Sequence, residues 1–394
     1  MKGHRLLAFV AIGFVFAGCK PTEPLRATTA ARSPAVSSSA SPARPKKAPS
    51  IALIDTIDSA FATAVPPTVI SSGDRIHLFA YGAGTPPALR YAAIGANDGV
   101  PARSSVLPAK TIVAATACER NVIAIIRTGV DHFIVSIDES GAIASTHPLA
   151  LPDRPWAGFR LACVSDRSWI LGMTTDVNSS VLWTAPVKDG QLGAAKETAW
   201  EERSSGLSAT VLGGDVIVLR SHGDHGGATL LRLREGEVVH SGRLSDSVSG
   251  AMVTRLGAQL AVAWTAYEAG RQSVRLRLYD EAFQPSGPAQ DLANVVEPER
   301  LGRLFLMPGP RSLLAVSYFT NQLTDDMIEL PNGRSEPAER SAQYLVVFDS
   351  QDGTKSDTLR MSMTSSLDGG GWAGMDLLFV VNRFSSVVAR YRVR

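Results

Sequence analysis

Hydrophobic residues from position 51 onward occur in short runs of four to eight that alternate with polar positions and are separated by turn residues. The runs are rich in Val, Ile, Leu, Thr and Trp, which are favoured in half-buried strands. Little of this region has the 3.6-residue hydrophobic period of an amphipathic helix. The pattern therefore predicts an all-β fold.

A repeat is visible within this pattern. Five segments each consist of an alternating strand, an acidic or glycine turn and a more polar strand: Phe133–Gly141, Val181–Gly190, Leu230–Gly236, Val274–Ala282 and Tyr344–Gly353. With a weaker copy at Asp98-Gly99, the turns at 99, 141, 190, 236, 282 and 353 are 42, 49, 46, 46 and 71 residues apart. The last gap contains an acidic insertion, Thr320 to Arg340, and subtracting its 21 residues leaves 50. A period of about 45 residues is typical of a β-propeller blade.

Each unit also has a hairpin upstream of this turn, which gives it four strands, here called a to d. The hairpins are Thr111–Cys118 with Val122–Arg127, Phe159–Cys163 with Ser168–Thr174, Ala209–Leu212 with Val216–Arg220, Ala251–Arg255 with Leu260–Trp264, and Arg303–Met307 with Leu313–Phe319. Met375–Val381 and Ser386–Val393 resemble strands b and c of a further unit that lacks an outer strand. Ile51–Ile57 has no partner of its own, and closing a ring removes unpaired edges. We therefore predict a seven-bladed β-propeller over residues 51–394, closed by this N-terminal strand.

The N-terminus has the features of a bacterial secretion signal. Lys2 and Arg5 precede an apolar run of 12 residues, Leu6–Ala17, which is too short for a permanent membrane span. The run ends in Phe16-Ala17-Gly18-Cys19, which resembles the bacterial lipobox, although Leu is usual where Phe16 stands. We predict a signal peptide over 1–18 and lipidation of Cys19, which would anchor the protein to a bilayer through acyl chains. An ordinary signal peptide with a chance cysteine is the alternative.

Residues 19–50 read as a disordered, basic linker rich in Pro, Ala and Ser, with too few large apolar side chains to offset the entropy of folding. Six basic residues against Glu23 give residues 20–50 a net charge of +5, whereas residues 51–394 carry 31 basic and 36 acidic residues, a net charge of −5. The sequence pI of 8.4 is therefore no indication of nucleic-acid binding, and none is expected. The linker either lies against anionic headgroups or is simply solvated.

Taken together, the anchor, the linker and the repeat resemble the propeller lipoproteins of bacterial envelopes. The segments most similar to their repeats are Leu260–Trp264 and Val274–Asp280. The resemblance implies a lipid-anchored protein of the cell envelope. Lys20, rather than aspartate, follows the cysteine and favours the outer over the inner membrane. No catalytic motif accompanies the resemblance, so it implies no activity.

Two further motifs need separate interpretation. Cys118 and Cys163 are 45 residues apart, at matching ends of strand a in neighbouring units. They form a disulfide between blades or remain two buried thiols. Gly369–Gly374 matches the G-x-G-x-x-G pattern but is followed by a strand instead of a helix, so we interpret it as a connection into strand a instead of a phosphate site.

The candidate binding residues lie in the predicted b–c loops, because loops on a rigid scaffold commonly carry ligand contacts. They are Asp131, His132, Asp176, His222, Asp224, His225, Tyr267, Glu268, Arg271, Asp325 and Asp326. His222, Asp224 and His225 are also candidate ligands for a divalent metal such as zinc. The alternative is a solvated glycine-rich loop. No other cofactor is expected.

Two functions from different classes are compatible with these features, and a third possibility is a domain that only stabilises an envelope assembly and binds no small ligand. The first is a monomeric, envelope-anchored scaffold that binds a protein or glycan partner through the propeller. The second is a secreted polysaccharide hydrolase or lyase, with two carboxylates about 5 to 9 Å apart at the channel mouth. Its candidate carboxylates are Asp131, Asp176, Asp224, Glu268 and Asp325. The anchor and the rigid disc favour binding over catalysis.

Overall fold

The computed structural model describes residues 48–394, except 59–67, 82–87, 99–102, 108, 110, 119–120, 139, 166, 223–225, 246–247, 269, 296–298, 330–334, 362–368 and 381–386. Backbone contacts divide the chain into units 1–45 and 46–394, and all described residues belong to the second unit. Cys19 and almost all of the linker lie outside the described residues, so signal peptide, lipidation and disorder stay predictions. Within the described part, no helix is long and apolar enough to cross a membrane.

The described chain forms seven antiparallel sheets, numbered here as blades in chain order. Blade 1 contains β2 (Thr68–Ser72), β3 (Arg75–Tyr81), β4 (Leu89–Gly95) and β5 (Arg103–Leu107). Blade 2 contains β6 (Thr111–Ala117), β7 (Asn121–Thr128), β8 (Asp131–Asp138) and β9 (Ile143–Leu149). Blade 3 contains β10 (Trp156–Val164), β11 (Arg167–Thr175), β12 (Ser180–Lys188), β13 (Gln191–Leu192) and β14 (Lys196–Trp200).

The remaining blades follow the same plan. Blade 4 contains β15 (Ser204–Leu212), β16 (Asp215–His222), β17 (Ala228–Arg234) and β18 (Glu237–Ser245). Blade 5 contains β19 (Val248–Leu256), β20 (Gln259–Glu268), β21 (Arg271–Tyr279) and β22 (Gln290–Val295). Blade 6 contains β23 (Glu299–Pro308), β24 (Leu313–Glu329), β25 (Ser335–Asp349), β26 (Thr354–Lys355) and β27 (Leu359–Met361). Blade 7 contains β28 (Gly370–Ala373), β29 (Asp376–Val380), β30 (Val387–Val393) and β1 (Ile51–Asp58).

The first strands of successive blades contact one another in a closed circuit, β2 to β6, β10, β15, β19, β23 and β28, and from β28 back to β2. This circuit places strand a of every blade innermost, around a central channel. The arrangement is a seven-bladed β-propeller, as the repeat predicted.

The ring closes where β1 pairs with β30, from Ile51 opposite Val393 to Asp58 opposite Val387, with one register shift between Leu53 and Asp55. The backbone amides of Ser50 and Arg394 each donate to the other residue's carbonyl at 3.0 Å. The prediction that Ile51–Ile57 supplies the missing outer strand is therefore confirmed. Without β1, the outer edge of β30 would present unpaired backbone groups.

Buried side chains hold neighbouring blades together. The described core divides into seven hydrophobic clusters, and each cluster joins two adjacent blades. Phe79 and Tyr91 fill the junction of blades 1 and 2, and Ile76 and Leu378 meet between blades 7 and 1. Burying a large apolar side chain stabilises a fold by about 1.5–3 kcal/mol. The junction at the seam is thus built from the same kind of contact as the other six.

Two local interpretations need correction. Gly370 and Gly371 belong to β28 itself and not to a connection that precedes it. A Cβ atom at Gly370 would overlap the buried Phe379 ring, and one at Gly371 would overlap the Ser71 hydroxyl of blade 1. Glycine at these two positions therefore allows the innermost strand to pack closely against its neighbours. The insertion Thr320–Arg340 is largely a continuation of β24 and β25, paired from Asn321–Ser341 to Glu329–Ser335, so it extends the hairpin of blade 6.

The strand order gives the propeller two different faces. The b–c hairpins and the d–a connections lie on one face, here called the distal face. The a–b and c–d turns lie on the other. Strand β1 is the outer strand of blade 7, and its first residue pairs with the last residue of strand c, so Ser50 lies on this second face, here called the tether face. The linker therefore enters the propeller on the face opposite the b–c hairpins.

Candidate functional site

Apolar side chains stand at the tips of hairpins on the distal face. Val130 is 87% exposed and Val177 is 77% exposed, at the b–c tips of blades 2 and 3, and Tyr267 is 43% exposed near the tip of blade 5. Gly129 permits the first of these tight turns because it adopts a φ of +63°. Side chains this exposed do not pack in the core of the propeller, so their apolar surface is accessible to a partner.

The described b–c candidates sit beside these tips. Asp131 is exposed and begins β8, opposite Thr128. Burial and the neighbouring Arg127 lower the pKa of His132, so its imidazole is neutral near neutral pH. Asp176 is exposed and accepts a hydrogen bond from the amide of Val177 at 2.7 Å, which stabilises the local turn.

Glu268 and Arg271 pair with each other at the end of the β20–β21 hairpin of blade 5. The carboxylate of Glu268 accepts two hydrogen bonds from Arg275, at 2.5 and 2.8 Å. This hydrogen-bonded pair lowers the pKa of Glu268. Asp291 accepts a further hydrogen bond from Arg275 at 2.9 Å. The Glu268 carboxylate is therefore ionised near neutral pH and accepts hydrogen bonds from Arg275, so it does not serve as a proton donor.

The proposed metal ligands are only partly described. Asp224 and His225 lie outside the described residues, as do the side chains of Asp325 and Asp326. His222 is buried, with Nε2 at 2.8 Å from the Thr229 hydroxyl and Nδ1 at 2.7 Å from a carboxylate oxygen of Glu202. Among the residues that the structure describes, no three His, Cys, Asp or Glu side chains are grouped as metal ligands would be.

A buried polar network surrounds Arg220, which precedes His222 by two residues in β16. The Arg220 guanidinium donates to the Ser204 hydroxyl at 2.5 Å and to the Glu202 carbonyl at 2.8 Å, and it stacks 4.4 Å from the centre of the Trp200 ring. Ser180 and Ser204 hydrogen-bond to each other at 2.7 Å. Burial lowers the pKa of Arg220, and Glu202 opposes this shift. The network joins blade 3 to blade 4 on the distal face.

Sequence reasoning did not identify this network. Arg220 follows four apolar positions of a strand and looks like the polar end of that strand, yet only 3% of it is exposed. The single available signal was Arg220-Ser-His222, three polar residues in succession at the end of a central strand. A strand that stays buried over three polar positions must satisfy them internally.

A polar cleft of about 470 Å³ opens beside the network, between the inner strands of blades 3 and 4. Gly158 and Arg160 of β10, Thr175 of β11, and Arg203 and Ser204 at the start of β15 contribute to its walls. Both inner strands carry a register shift at this level, one at Ala157 and one at Ser205. Such bulges redirect side chains and are common beside binding sites.

The central channel is a second cavity, of about 570 Å³, lined by residues of all seven innermost strands. Its described lining consists mainly of small and aliphatic side chains with Ser71, Thr116 and Arg255, and includes no carboxylate. The described candidates Asp131, Asp176 and Glu268 are likewise not part of the lining. The structure thus shows no pair of facing carboxylates among its described channel residues, as polysaccharide cleavage would require.

Cys118 and Cys163 line the same channel, at the end of the inner strands of blades 2 and 3. They are joined as a disulfide, with Cα atoms 5.5 Å apart. The bond covalently connects two neighbouring blades at the tether face.

Comparison with known proteins identifies no family for this chain. No protein-family model matches the chain, and no curated protein matches it. Among solved structures, the WD40 domain of SCAP from fission yeast matches with a TM-score of 0.47 and 8% identity, over 86% of this chain and 98% of that chain. A subtype N10 neuraminidase-like protein of A/little yellow-shouldered bat/Guatemala matches with a TM-score of 0.45 and 13% identity, over 69% of this chain and 95% of that chain. Identities this low transfer no activity, substrate or partner.

Proposed function

We propose that this protein is a lipid-anchored β-propeller of the bacterial cell envelope, and that its distal face binds a protein or glycan partner. The observation that carries the proposal is the exposure of Val130 and Val177 at neighbouring hairpin tips on that face. Exposed loops that are carried on a rigid frame commonly hold the binding residues of a protein.

The position of the linker supports this assignment of the faces. Ser50 lies on the tether face, and the hairpin tips lie on the opposite one. A lipid on Cys19 would thus be attached through the tether face and leave the distal face accessible. Residues 20–50 reach on the order of 90 Å when extended at about 3.1 Å per residue, enough for the propeller to search for a partner near the membrane.

Affinity capture with paired variants tests the binding surface. The full chain, tagged after Arg394 and solubilised from membranes, is compared with Val130→Asp/Val177→Asp and with Val106→Asp. Val106 is 62% exposed on the outer strand of blade 1 and is the matched control. We expect one partner, identified by mass spectrometry or as a retained polysaccharide, to be lost with the double variant and kept with the control. The surface assignment is wrong if both variants retain the same partner to the same extent.

The anchor is tested separately. Cys19→Ser should move the protein from the membrane fraction to the soluble fraction and abolish incorporation of labelled palmitate. Retention of Cys19→Ser in the membrane after a high-salt wash would contradict lipid anchoring.

A further inference from the structure

The cleft between blades 3 and 4 has an unusual charge. Two arginines, Arg160 and Arg203, contribute to its walls, and the described lining contains no carboxylate. A third guanidinium, that of Arg220, lies directly behind the wall because it donates to the Ser204 hydroxyl at 2.5 Å. The cleft therefore presents positive charge to whatever enters it.

Arg160 is an arginine of the cleft wall that has no carboxylate partner among the described residues. Its guanidinium donates to the carbonyl of Phe159 at 2.8 Å, and within the described part of the chain no carboxylate is within ion-pair distance of it. Partial burial lowers the pKa of the Arg160 guanidinium, yet the residue as a whole is exposed to solvent in the cleft. An anion that enters the cleft can therefore reach this cation and form charge-assisted hydrogen bonds with it.

The carboxylate of Glu202, which precedes the cleft residue Arg203 in the chain, is directed toward other cations. Glu202 is the acid of the adjoining network, and its carboxylate contacts His222 at 2.7 Å and Arg220 at 3.8 Å. Its charge therefore compensates the buried Arg220 and His222 pair and not Arg160 or Arg203.

The remaining walls indicate the class of ligand. Ser204, Ser205 and Thr175 provide hydroxyl-bearing walls, and Met173 and Leu207 provide an apolar edge. A sugar ring matches this mixture, because it has a polar rim and less polar faces. The volume of about 470 Å³ lies within the range of small-ligand pockets, about 300–1,000 Å³. These features favour a compact saccharide unit over an extended peptide.

We propose that this cleft binds a hexuronate unit of an acidic polysaccharide, with the sugar carboxylate held by Arg160 and Arg203. The inference deepens the proposed binding function by naming its glycan class. It rests on that function only for its biological setting. Its test uses free sugars and different residues, so its failure is distinguishable from failure of the hairpin-tip surface.

Calorimetric titration of the full-length protein in detergent tests the site with sodium glucuronate, glucose and N-acetylglutamate. We expect glucuronate to bind at least about tenfold more tightly than glucose and more tightly than N-acetylglutamate. Loss of hydrogen bonds to a charged group corresponds to about a 10- to 100-fold loss of affinity. Arg160→Gln and Arg203→Gln should each weaken glucuronate binding by at least about tenfold. Arg300→Gln, an exposed arginine at the start of β23, is the matched control and should bind normally.

Thermal unfolding of each variant verifies that the propeller remains folded. Equal affinity for glucuronate and glucose would overturn the proposal, as would no binding of glucuronate. Unchanged glucuronate affinity in the Arg160→Gln/Arg203→Gln double variant would overturn it as well. If N-acetylglutamate bound more tightly than glucuronate, the cleft would be assigned to an acidic peptide, and the hexuronate assignment would be refuted.

Discussion

Arg390 and Asp55 are 335 positions apart in the chain, yet the Arg390 guanidinium donates to the Asp55 carboxylate through Nε at 2.8 Å. A second guanidinium nitrogen also contacts the same carboxylate, and a third reaches the carbonyl of Ala96 in blade 1. The hydrogen bond with Asp55 raises the pKa of Arg390. The Arg390 side chain thus links its own strand, β30, to the closing strand β1 and to blade 1.

Replacing this arginine should weaken the seam. We expect Arg390→Ala to lower the free energy of unfolding by about 1–2 kcal/mol, because the pair is only partly buried and solvent screens it. Arg167→Ala is the control, since its pair with Glu235 is exposed on both sides and should contribute less than about 0.5 kcal/mol. Urea unfolding measures both. Equal losses for the two variants would show that the seam pair has no special role.

Removal of the closing strand should have a much larger effect. Deletion of Ile51–Ile57 leaves β30 without its outer neighbour and removes the contact of Ile51 with the cluster between blades 6 and 7. We expect a fall in Tm of more than about 10 °C and a tendency to aggregate, because the exposed edge can pair with another chain. Deleting seven residues within the linker, 27–33, provides the length-matched control. An unchanged Tm after deletion of Ile51–Ile57 would contradict closure by β1.

The disulfide should stabilise the junction of blades 2 and 3. Cys118 and Cys163 enclose a loop with a sequence separation of 45, for which chain-entropy arguments give up to about 4 kcal/mol and typical measurements about 2–4 kcal/mol. We expect reductant to lower the urea midpoint of the wild-type protein and to leave the Cys118→Ser/Cys163→Ser variant unaffected. A wild-type midpoint that is insensitive to reductant, with the thiols shown to be reduced, would refute this stabilisation.

A buried histidine in blade 1 should make stability depend on pH. His77 Nδ1 lies 2.6 Å from the Tyr91 hydroxyl, and burial, assisted by Arg75, lowers the pKa of His77 to about 4. The unfolded chain binds a proton near pH 6.5, whereas the folded protein does not until about pH 4. This contribution is therefore fully present above pH 6.5 and is lost as the pH falls toward 4, by about 3 kcal/mol.

The measurement is the free energy of unfolding at pH 7.5 and pH 4.5 for the wild type and for His77→Gln. Burial lowers the pKa of His132 and His222 as well, and both residues remain in the two proteins, so the difference between them isolates His77. We expect the wild type to lose about 2–3 kcal/mol more than the variant over this range. Identical pH dependence in the two proteins would contradict the assignment.

The fold was largely predictable because blades repeat a local pattern. Alternation identified the strands, and the spacing of turn residues set the period. Several of those turns use a positive φ, as at Gly141, Gly190, Gly236 and Gly353, which only glycine adopts without strain. The closing strand was predictable for a similar reason, because an unpaired outer edge requires a partner.

The candidate cleft was not predictable, because it depends on juxtaposition across a blade interface. Arg160 and Arg203 come together only when β10 packs beside β15. Neither residue belongs to a motif, and Arg160 looks like an ordinary exposed strand position. The predicted b–c residues were easier to see because they adjoin turns, but position at a turn says nothing about whether a carboxylate is already paired, as that of Glu268 is.

The two backbone hydrogen bonds between Ser50 and Arg394 place the termini of the propeller side by side. A short linker between these residues would turn the chain into a continuous circle, which could then be opened between β20 and β21 of blade 5. Such a circular permutant would keep all seven blades but begin on the distal face. A tether fused to that new terminus would leave the disc from among its hairpin tips, on the face opposite the one where Ser50 lies.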